Sequence, residues 1–246
     1  MLISPLNAVL SLDTAPALRT IIMASLSNPK EDLPLQTSLF FAFEIIGTVA
    51  FACSGAMLAI QKNLDLLGIV VLAVTTACGG GMIRDLLLGS VPPALFIHPV
   101  YVILATVSAL ALFLCVRFLH ESRNVLGSAW YDGALSLMDA VGLGAFTVVG
   151  IDTALASGYA QYRFFVVFLG VITGVGGGIL RDIMASETPA VLKKHIYACA
   201  SILGAIMYVY TLHFSRDGAM IMSFLLVVGI RMLARHYRWN LPHVSP

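Results

Sequence analysis

Residues 79–85 read Gly-Gly-Gly-Met-Ile-Arg-Asp, and residues 176–182 read Gly-Gly-Gly-Ile-Leu-Arg-Asp. The copies start 97 residues apart, an offset that also carries Thr76 onto Thr173, Pro92 onto Pro189 and His98 onto His195. Each copy follows an apolar run, and three consecutive glycines are poor helix formers, so we expect a helix break at each copy. Irregular backbone survives in a membrane only inside protein or beside a watery cavity. Two matching breaks are therefore typical of the transport site of a repeat-built membrane protein.

The composition indicates an integral membrane protein. Of the 246 residues, 59% are hydrophobic and 11% are charged, and the mean hydropathy is +0.93. Soluble domains carry about 25% charged residues. The net charge of +1 is uninformative, and we expect no nucleic-acid partner. The sequence shows no catalytic constellation, its histidines are scattered and its four cysteines lie in apolar segments. We therefore expect no enzyme, no cofactor and no metal other than a permeant ion.

The hydropathy pattern predicts seven membrane spans, because a helix needs about 20 apolar residues to cross a bilayer. The spans cover residues 38–60, 66–88, 94–119, 131–156, 164–185, 195–214 and 219–233. We assign residues 1–37 to an N-terminal extension without a span, because the apolar stretch 2–12 is too short to cross a bilayer and residues 30–34 form a polar break. The alternative is a signal peptide, although the usual basic start is absent and Arg19 is the first basic residue. The predicted fold class is therefore an all-α, polytopic membrane protein.

The repetition extends to the spans that precede the glycine copies. At an offset of 95 residues, Glu44, Gly47, Phe51 and Gly55 match Asp139, Gly142, Phe146 and Gly150. Spans one to three therefore repeat as spans four to six. Because three is odd, the second copy must cross the membrane in the opposite sense, which makes the repeat an inverted one. We assign residues 38–120 to repeat 1, residues 131–214 to repeat 2, and residues 218–246 to a seventh span with a basic tail.

Lysines and arginines near the span ends predict the orientation, since cytoplasmic loops are enriched in both. One side of the membrane gathers eight of them: Lys62, Arg117, Arg123, Lys193, Lys194, Arg231, Arg235 and Arg238. The other side gathers four: Arg19, Lys30, Arg163 and Arg216. This bias places the C-terminus in the cytoplasm and the N-terminus outside, in the inner (plasma) membrane.

The charged pairs that end the two glycine motifs admit two interpretations. In the first, the breaks at Gly79, Gly80, Gly81, Gly176, Gly177 and Gly178 open a central path, which Arg84, Asp85, Arg181 and Asp182 keep hydrated. In the second, these charges cap half-helices and lock the two repeats together. We then expect Arg–Asp pairs between the copies, because an unpaired charge at that depth is expensive.

Two carboxylates occupy matching places in spans one and four. A charge deep in a span costs roughly 2.5–3.5 kcal/mol on insertion scales, so Glu44 and Asp139 are expected to be functional. The alternative is that each of them lies close enough to the interface for that cost to fall away, and Glu44 is only about six residues from the start of its span. Asp152, near the end of span four, is expected to be interfacial. The four glycines of these spans are expected to let helices pack closely.

The doubled motif, the seven spans and the inverted layout resemble the trimeric intracellular cation (TRIC) channel family, in its bacterial and archaeal branch, over residues 38–235. The family's domain has also been labelled a glycine transporter. The resemblance implies a homotrimer in which each protomer has its own hourglass pore for K⁺, with some Na⁺ permeation. It implies that kinked second and fifth spans line this pore, here at Gly79–Gly81 and Gly176–Gly178. Membrane lipid is an implied partner, although span four lacks the basic pair with which animal members bind an inositol lipid.

Two functions are compatible with these features. The first is a passive monovalent-cation channel. The alternative is a secondary transporter of a small solute such as glycine, because inverted repeats with broken helices are typical of transporters. Both functions need a polar site near the membrane midplane, so the sequence does not separate them.

Overall fold

A computed structural model describes residues 33–122, 128–193, 196–237 and 239. The chain divides into two compact units, Met1–Ser38 and Leu39–Pro246, and the extension predicted for residues 1–37 lies almost wholly outside the described residues. Regular structure in the described part is helical throughout. Its helices are α1 (Leu33–Gln61), α2 (Leu66–Leu87), α3 (Ala94–Ile97), α4 (Val100–Ser122), α5 (Ala129–Ala156), α6 (Arg163–Met184), α7 (Ala190–Lys193), α8 (Ile196–Thr211) and α9 (Arg216–His236).

Among the described helices, six are long and apolar enough to cross a membrane: α1, α2, α4, α5, α6 and α9. The remaining apolar helix, α8, has 16 residues. At 1.5 Å per residue it extends about 24 Å, which is short of a hydrocarbon core about 30 Å thick. The prediction of an all-helical, polytopic membrane protein is thus confirmed, whereas the count of seven spans stays a prediction.

Contacts between helix ends fix the relative directions of the main helices. Lys62, just before α2, pairs with Glu187, just after α6, at 2.5 Å, so α2 and α6 lie antiparallel. At the same end, Gln61 donates a hydrogen bond to Asp132 near the start of α5. Asp152, close to the other end of α5, binds Arg216 at the start of α9. We call these two ends of the bundle the Lys62 end and the Arg216 end.

The helices α2 and α6 cross at their glycine triplets, backbone against backbone. A Cβ atom added at Gly80 would lie 2.1 Å from the carbonyl oxygen of Thr173. One added at Gly177 would lie 2.1 Å from the carbonyl oxygen of Thr76. A Cβ at Gly176 would come within 3.2 Å of the Cα of Gly80. Because no side chain fits at Gly80 or Gly177 unless a helix moves, this crossing requires glycine.

Both helices continue through their triplets without interruption, α2 over Leu66–Leu87 and α6 over Arg163–Met184. The prediction that the glycines break these helices is therefore wrong. A glycine in a helix costs about 1 kcal/mol relative to alanine. That cost is offset because a membrane helix keeps its backbone hydrogen bonds internal and because small residues allow close helix packing. The triplets thus provide close approach instead of unwinding.

A second set of glycines surrounds this crossing. The expectation that they serve packing is confirmed by the contacts of Gly47, Gly55, Gly142 and Gly150. The ring of Phe51 fills the space beside Gly142, and the ring of Phe146 fills the space beside Gly47. The centroids of these two rings are 5.4 Å apart, so the aromatic pair packs at the centre of the bundle.

We expect Gly80→Ala to destabilise the protein, because the new Cβ would clash with a backbone oxygen that moves only with α6. Overpacking typically costs about 1–3 kcal/mol, and more where backbone must shift. Thermal unfolding in detergent measures the loss. Gly229→Ala in α9 is the matched control, since an added Cβ there has no neighbour within 4 Å, and its midpoint should equal or exceed that of the wild type. Equal midpoints for the two variants would contradict the tight crossing.

Candidate functional site

Each arginine of the doubled motif pairs with the aspartate that follows it in the chain. The Nε and Nη2 atoms of Arg84 lie 2.8 and 2.7 Å from Oδ1 of Asp85. The same atoms of Arg181 lie 2.9 and 2.8 Å from Oδ1 of Asp182. All four residues are buried. The prediction of Arg–Asp pairs between the two copies is therefore wrong, because the long arginine side chain folds back onto its own neighbour.

The second oxygen of each aspartate holds the segment that follows the motif. Oδ2 of Asp85 accepts a hydrogen bond of 2.8 Å from the backbone N–H of Ala94, the first residue of α3. Oδ2 of Asp182 accepts one of 2.7 Å from Ala190, the first residue of α7. A carboxylate at a helix start satisfies a free N–H group and interacts favourably with the helix dipole. This geometry agrees with a capping role for both aspartates.

These contacts correct the register of the predicted correspondence by one residue. Ala94 and Ala190 occupy the same position and lie 96 residues apart, whereas the aspartates that hold them lie 97 apart. Pro93, which caps α3, therefore corresponds to Pro189, in place of Pro92. The connection after α2 is one residue longer than the connection after α6.

A cavity of about 520 Å³ opens beside Asp139 at the Lys62 end of the bundle, and we call it the Asp139 cavity. The buried Asp139 carboxylate lies 2.7 Å from Nη1 of Arg181 and 3.2 Å from Nη2 of Arg231. It also accepts a hydrogen bond of 3.2 Å from the hydroxyl of Tyr197. Two guanidinium groups therefore share one carboxylate, and with Asp182 on Arg181 the cluster holds two positive and two negative groups, which lowers the cost of the buried charges.

Arg231 also belongs to this cluster, whereas its place in the sequence predicts only the side of the membrane on which it lies. Its side chain is buried, and its guanidinium carbon lies 4.5 Å from the centroid of the Tyr197 ring. Such a cation–π contact adds about 0.5–2 kcal/mol, depending on desolvation. The sequence feature that indicates a buried partner for Arg231 is its position inside the apolar segment 219–233, because charged residues are rare in membrane spans and usually pair there.

A smaller cavity of about 50 Å³ lies beside Glu44, and we call it the Glu44 cavity. Arg84 and Asp85 of the first motif line it together with Tyr101, whose hydroxyl donates a hydrogen bond to the Glu44 carboxylate. Glu44 is half-buried, and Tyr101 supplies the one hydrogen bond that its carboxylate receives from the described residues. Glu44 thus presents a carboxyl group to the cavity, with no basic side chain bound to it among the described residues.

The last glycine of each triplet faces these charged groups, in contrast to the glycines of the crossing. Gly81 lines the Glu44 cavity, and an added Cβ there would have only Arg84 Nη2 nearby, at 3.8 Å. A Cβ at Gly178 would lie 2.6 Å from the Tyr197 hydroxyl and 3.8 Å from an Asp139 oxygen. Each triplet therefore joins a packing surface to a charged cluster.

The two cavities lie toward opposite ends of the bundle. Arg84 is close to the end of α2 and Arg181 is close to the end of α6, and these helices are antiparallel. Phe146 lines the Glu44 cavity, while Phe51 contacts Gly142, one turn from Asp139. The aromatic pair Phe51–Phe146 therefore lies between the two charged clusters.

Other candidate residues lie away from this site. Asp152, expected to be interfacial, is buried at the Arg216 end, where it binds Arg216 and accepts a hydrogen bond from Tyr208. It thereby joins α5, α8 and α9. Across the part of the chain that the structure describes, no group of three or more His, Cys, Asp or Glu side chains could hold a metal ion.

Comparison with known proteins identifies the family. A family model described as glycine transporter matches residues 41–117 and 136–213. The UPF0126 inner membrane protein YadS of Escherichia coli is 36% identical over 83% of this chain and 95% of its own length. A structure solved to explain conductance through TRIC cation channels is 39% identical, covers 84% of this chain and 98% of its own, and superposes with a TM-score of 0.72. A TRIC trimeric intracellular cation channel orthologue from Rhodobacter sphaeroides is 31% identical, covers 82% and 100%, and has a TM-score of 0.74.

The chain belongs to the TRIC channel family. Membership of the TRIC family confirms the resemblance that the doubled glycine motif indicated. It also confirms the expectation that the protein is not an enzyme, because the matched solved structures are of channels. The match spans nearly the whole length of both solved TRIC chains.

We expect Asp139→Asn to lower stability by about 3–5 kcal/mol, because it leaves the buried Arg181 and Arg231 without their shared charge. The thermal midpoint in detergent should fall by roughly 10 °C for a chain of this size. Arg231→Gln in the same chain should restore part of the loss, since it removes one uncompensated charge. Lys62→Gln is the control, because it breaks an exposed ion pair worth about 0–1 kcal/mol. A double variant that is no more stable than Asp139→Asn would contradict the shared pairing.

Proposed function

We propose that the protein is a passive channel for monovalent cations, chiefly K⁺ with some Na⁺. The observation that supports this most directly is the pair of charged cavities on either side of the glycine crossing, in a chain of the TRIC family. The similar solved proteins are described as cation channels. Cation channels commonly select their ions with carboxylates that line the path. Glu44 is such a carboxylate here.

The proposed path runs from the Glu44 cavity, past the aromatic pair Phe51–Phe146, to the Asp139 cavity. On α2, Gly81 lines the path, and on α6, Gly178 lies beside the Asp139 cluster, whereas the other glycines of the triplets hold the crossing. Apolar constrictions gate channels by excluding water, so the aromatic pair is the proposed barrier in this conformation. The charges at both ends of the path favour hydration up to that barrier.

We further propose that residues 38–120 and 131–214 form an inverted repeat. The family model matches one segment in each of them. Several contacts recur at both copies: each arginine binds its own aspartate, each aspartate holds the next short helix, and each central glycine touches the threonine carbonyl of the other copy. The antiparallel α2 and α6 agree with copies of opposite sense.

The functional unit is proposed to be a homotrimer with one path in each protomer. A single chain supplies both cavities and the crossing between them, so the path needs no residue from a second copy. The similar Rhodobacter sphaeroides protein is described as trimeric. The membrane is proposed to be the inner membrane, as stated in the name of the similar Escherichia coli protein.

Purified protein in a planar bilayer should show discrete single-channel currents in symmetric KCl, without any solute gradient. The second candidate, a secondary transporter of glycine, rests on the description of the matching family model. It predicts electrically silent bilayers together with saturable uptake of labelled glycine into proteoliposomes. Empty bilayers prepared with the same detergent are the control. Saturable uptake without currents would overturn the channel in favour of the transporter.

The proposed topology has seven spans, with α8 as the short sixth span, the N-terminus outside and the C-terminus in the cytoplasm. A membrane-impermeant maleimide should then label a cysteine introduced at His213, at the Arg216 end, in intact cells. The same reagent should miss a cysteine at Leu64, at the Lys62 end, until the cells are permeabilised. Both positions are exposed, and the four native cysteines are replaced beforehand. Labelling of both positions in intact cells would contradict the proposed topology.

A further inference from the structure

The two cavities differ in the charge of the residues that line them, although the contacts of the two glycine motifs are alike. Two carboxylates and one guanidinium line the Glu44 cavity, which gives it a net charge of −1: Glu44, Asp85 and Arg84. Among the residues that the structure describes, two carboxylates and three guanidiniums line the Asp139 cavity: Asp132, Asp139, Arg181, Arg231 and Arg235. The Asp182 carboxylate, which binds Arg181 beside this cavity, brings the net charge of these groups to zero, so it is not negative.

The difference comes from α9. Arg231 and Arg235 belong to this helix, which follows the two predicted repeats and has no counterpart in either. Arg181 binds one oxygen of the Asp139 carboxylate and Arg231 binds the other, so that with Asp182 on Arg181 two positive groups offset two negative groups. The matching carboxylate, Glu44, instead accepts its hydrogen bond from the neutral hydroxyl of Tyr101. The two intramembrane acids therefore have different polar partners: two guanidinium groups at Asp139 and a neutral hydroxyl at Glu44.

We infer that Glu44 determines the charge selectivity of the path, and that Asp139 is a structural acid which Arg181 and Arg231 neutralise. This inference rests on the proposed channel function. A permeant K⁺ in the Glu44 cavity is attracted by the unneutralised carboxylate, and Cl⁻ is repelled. At a separation of 4 Å, one charge changes the local concentration of an ion about fivefold even in a water-like medium. Because K⁺ gains while Cl⁻ loses, the effect on their ratio is roughly the square of that factor.

Reversal potentials in asymmetric KCl test the inference, since they give the K⁺/Cl⁻ permeability ratio of purified protein in a planar bilayer. Glu44→Gln keeps the shape and an acceptor for Tyr101 but removes the charge, so it should fold and should lower the ratio about tenfold or more. Glu44→Asp keeps the charge and should retain most of the selectivity. Arg231→Gln should shift the ratio the other way, toward K⁺, because it leaves the Asp139–Arg181 pair intact.

Tyr101→Phe is the matched control, because it removes the hydrogen bond to Glu44 and keeps the carboxylate. It should preserve the wild-type ratio. A wild-type ratio in Glu44→Gln would overturn the inference. A fall in Tyr101→Phe as large as that in Glu44→Gln would also overturn it, since geometry and not charge would then be responsible. Silent bilayers with wild-type protein would instead overturn the channel proposal, and this inference with it.

Discussion

The direct backbone contact between Gly80 of α2 and Gly177 of α6 sets the geometry on which the rest of the structure depends. Each glycine faces a threonine carbonyl of the other helix at a distance that excludes a Cβ atom. In both helices the arginine follows the central glycine by four residues, or about 6 Å along the axis. Because the helices are antiparallel, this one contact carries the two Arg–Asp pairs away from each other, toward opposite ends of the bundle.

Burying these charges in a membrane protein requires local neutralisation, and the structure provides it within each motif. One aspartate oxygen binds the arginine and the other holds a backbone N–H, so each carboxylate uses both oxygens. A carboxylate in hydrocarbon without such partners would cost several kcal/mol. The motif therefore has a structural task that is separable from ion conduction, because it joins the end of a membrane helix to the connection that follows. In the proposed channel, conduction depends on groups that keep a free side toward a cavity, such as Glu44.

The fold class, most of the spans and the residues around which the bundle is built could be predicted from the sequence. It did not distinguish a glycine that breaks a helix from one that permits close contact, because low helix propensity is common to both. The contact at Gly80 decides between them, and it depends on a partner helix almost 100 residues away. The pairing of Arg84 with Asp85 could not be predicted from the sequence for a related reason. Side chains of adjacent residues leave a helix in different directions, but a long arginine can bend back to its neighbour, which spacing alone does not reveal.

The helix outside the proposed repeat shows how a symmetric backbone acquires two different ends. α9 packs mainly on α5 and α8, away from the glycine crossing, so its residues can change without disturbing the contact between α2 and α6. Arg231 reaches from this helix to Asp139, a residue of the second predicted repeat. A single side chain on a peripheral helix therefore alters the charge of one cavity and leaves the other unchanged. The crossing fixes where the charged groups lie, and the unpaired helix determines how much of their charge remains available to an ion.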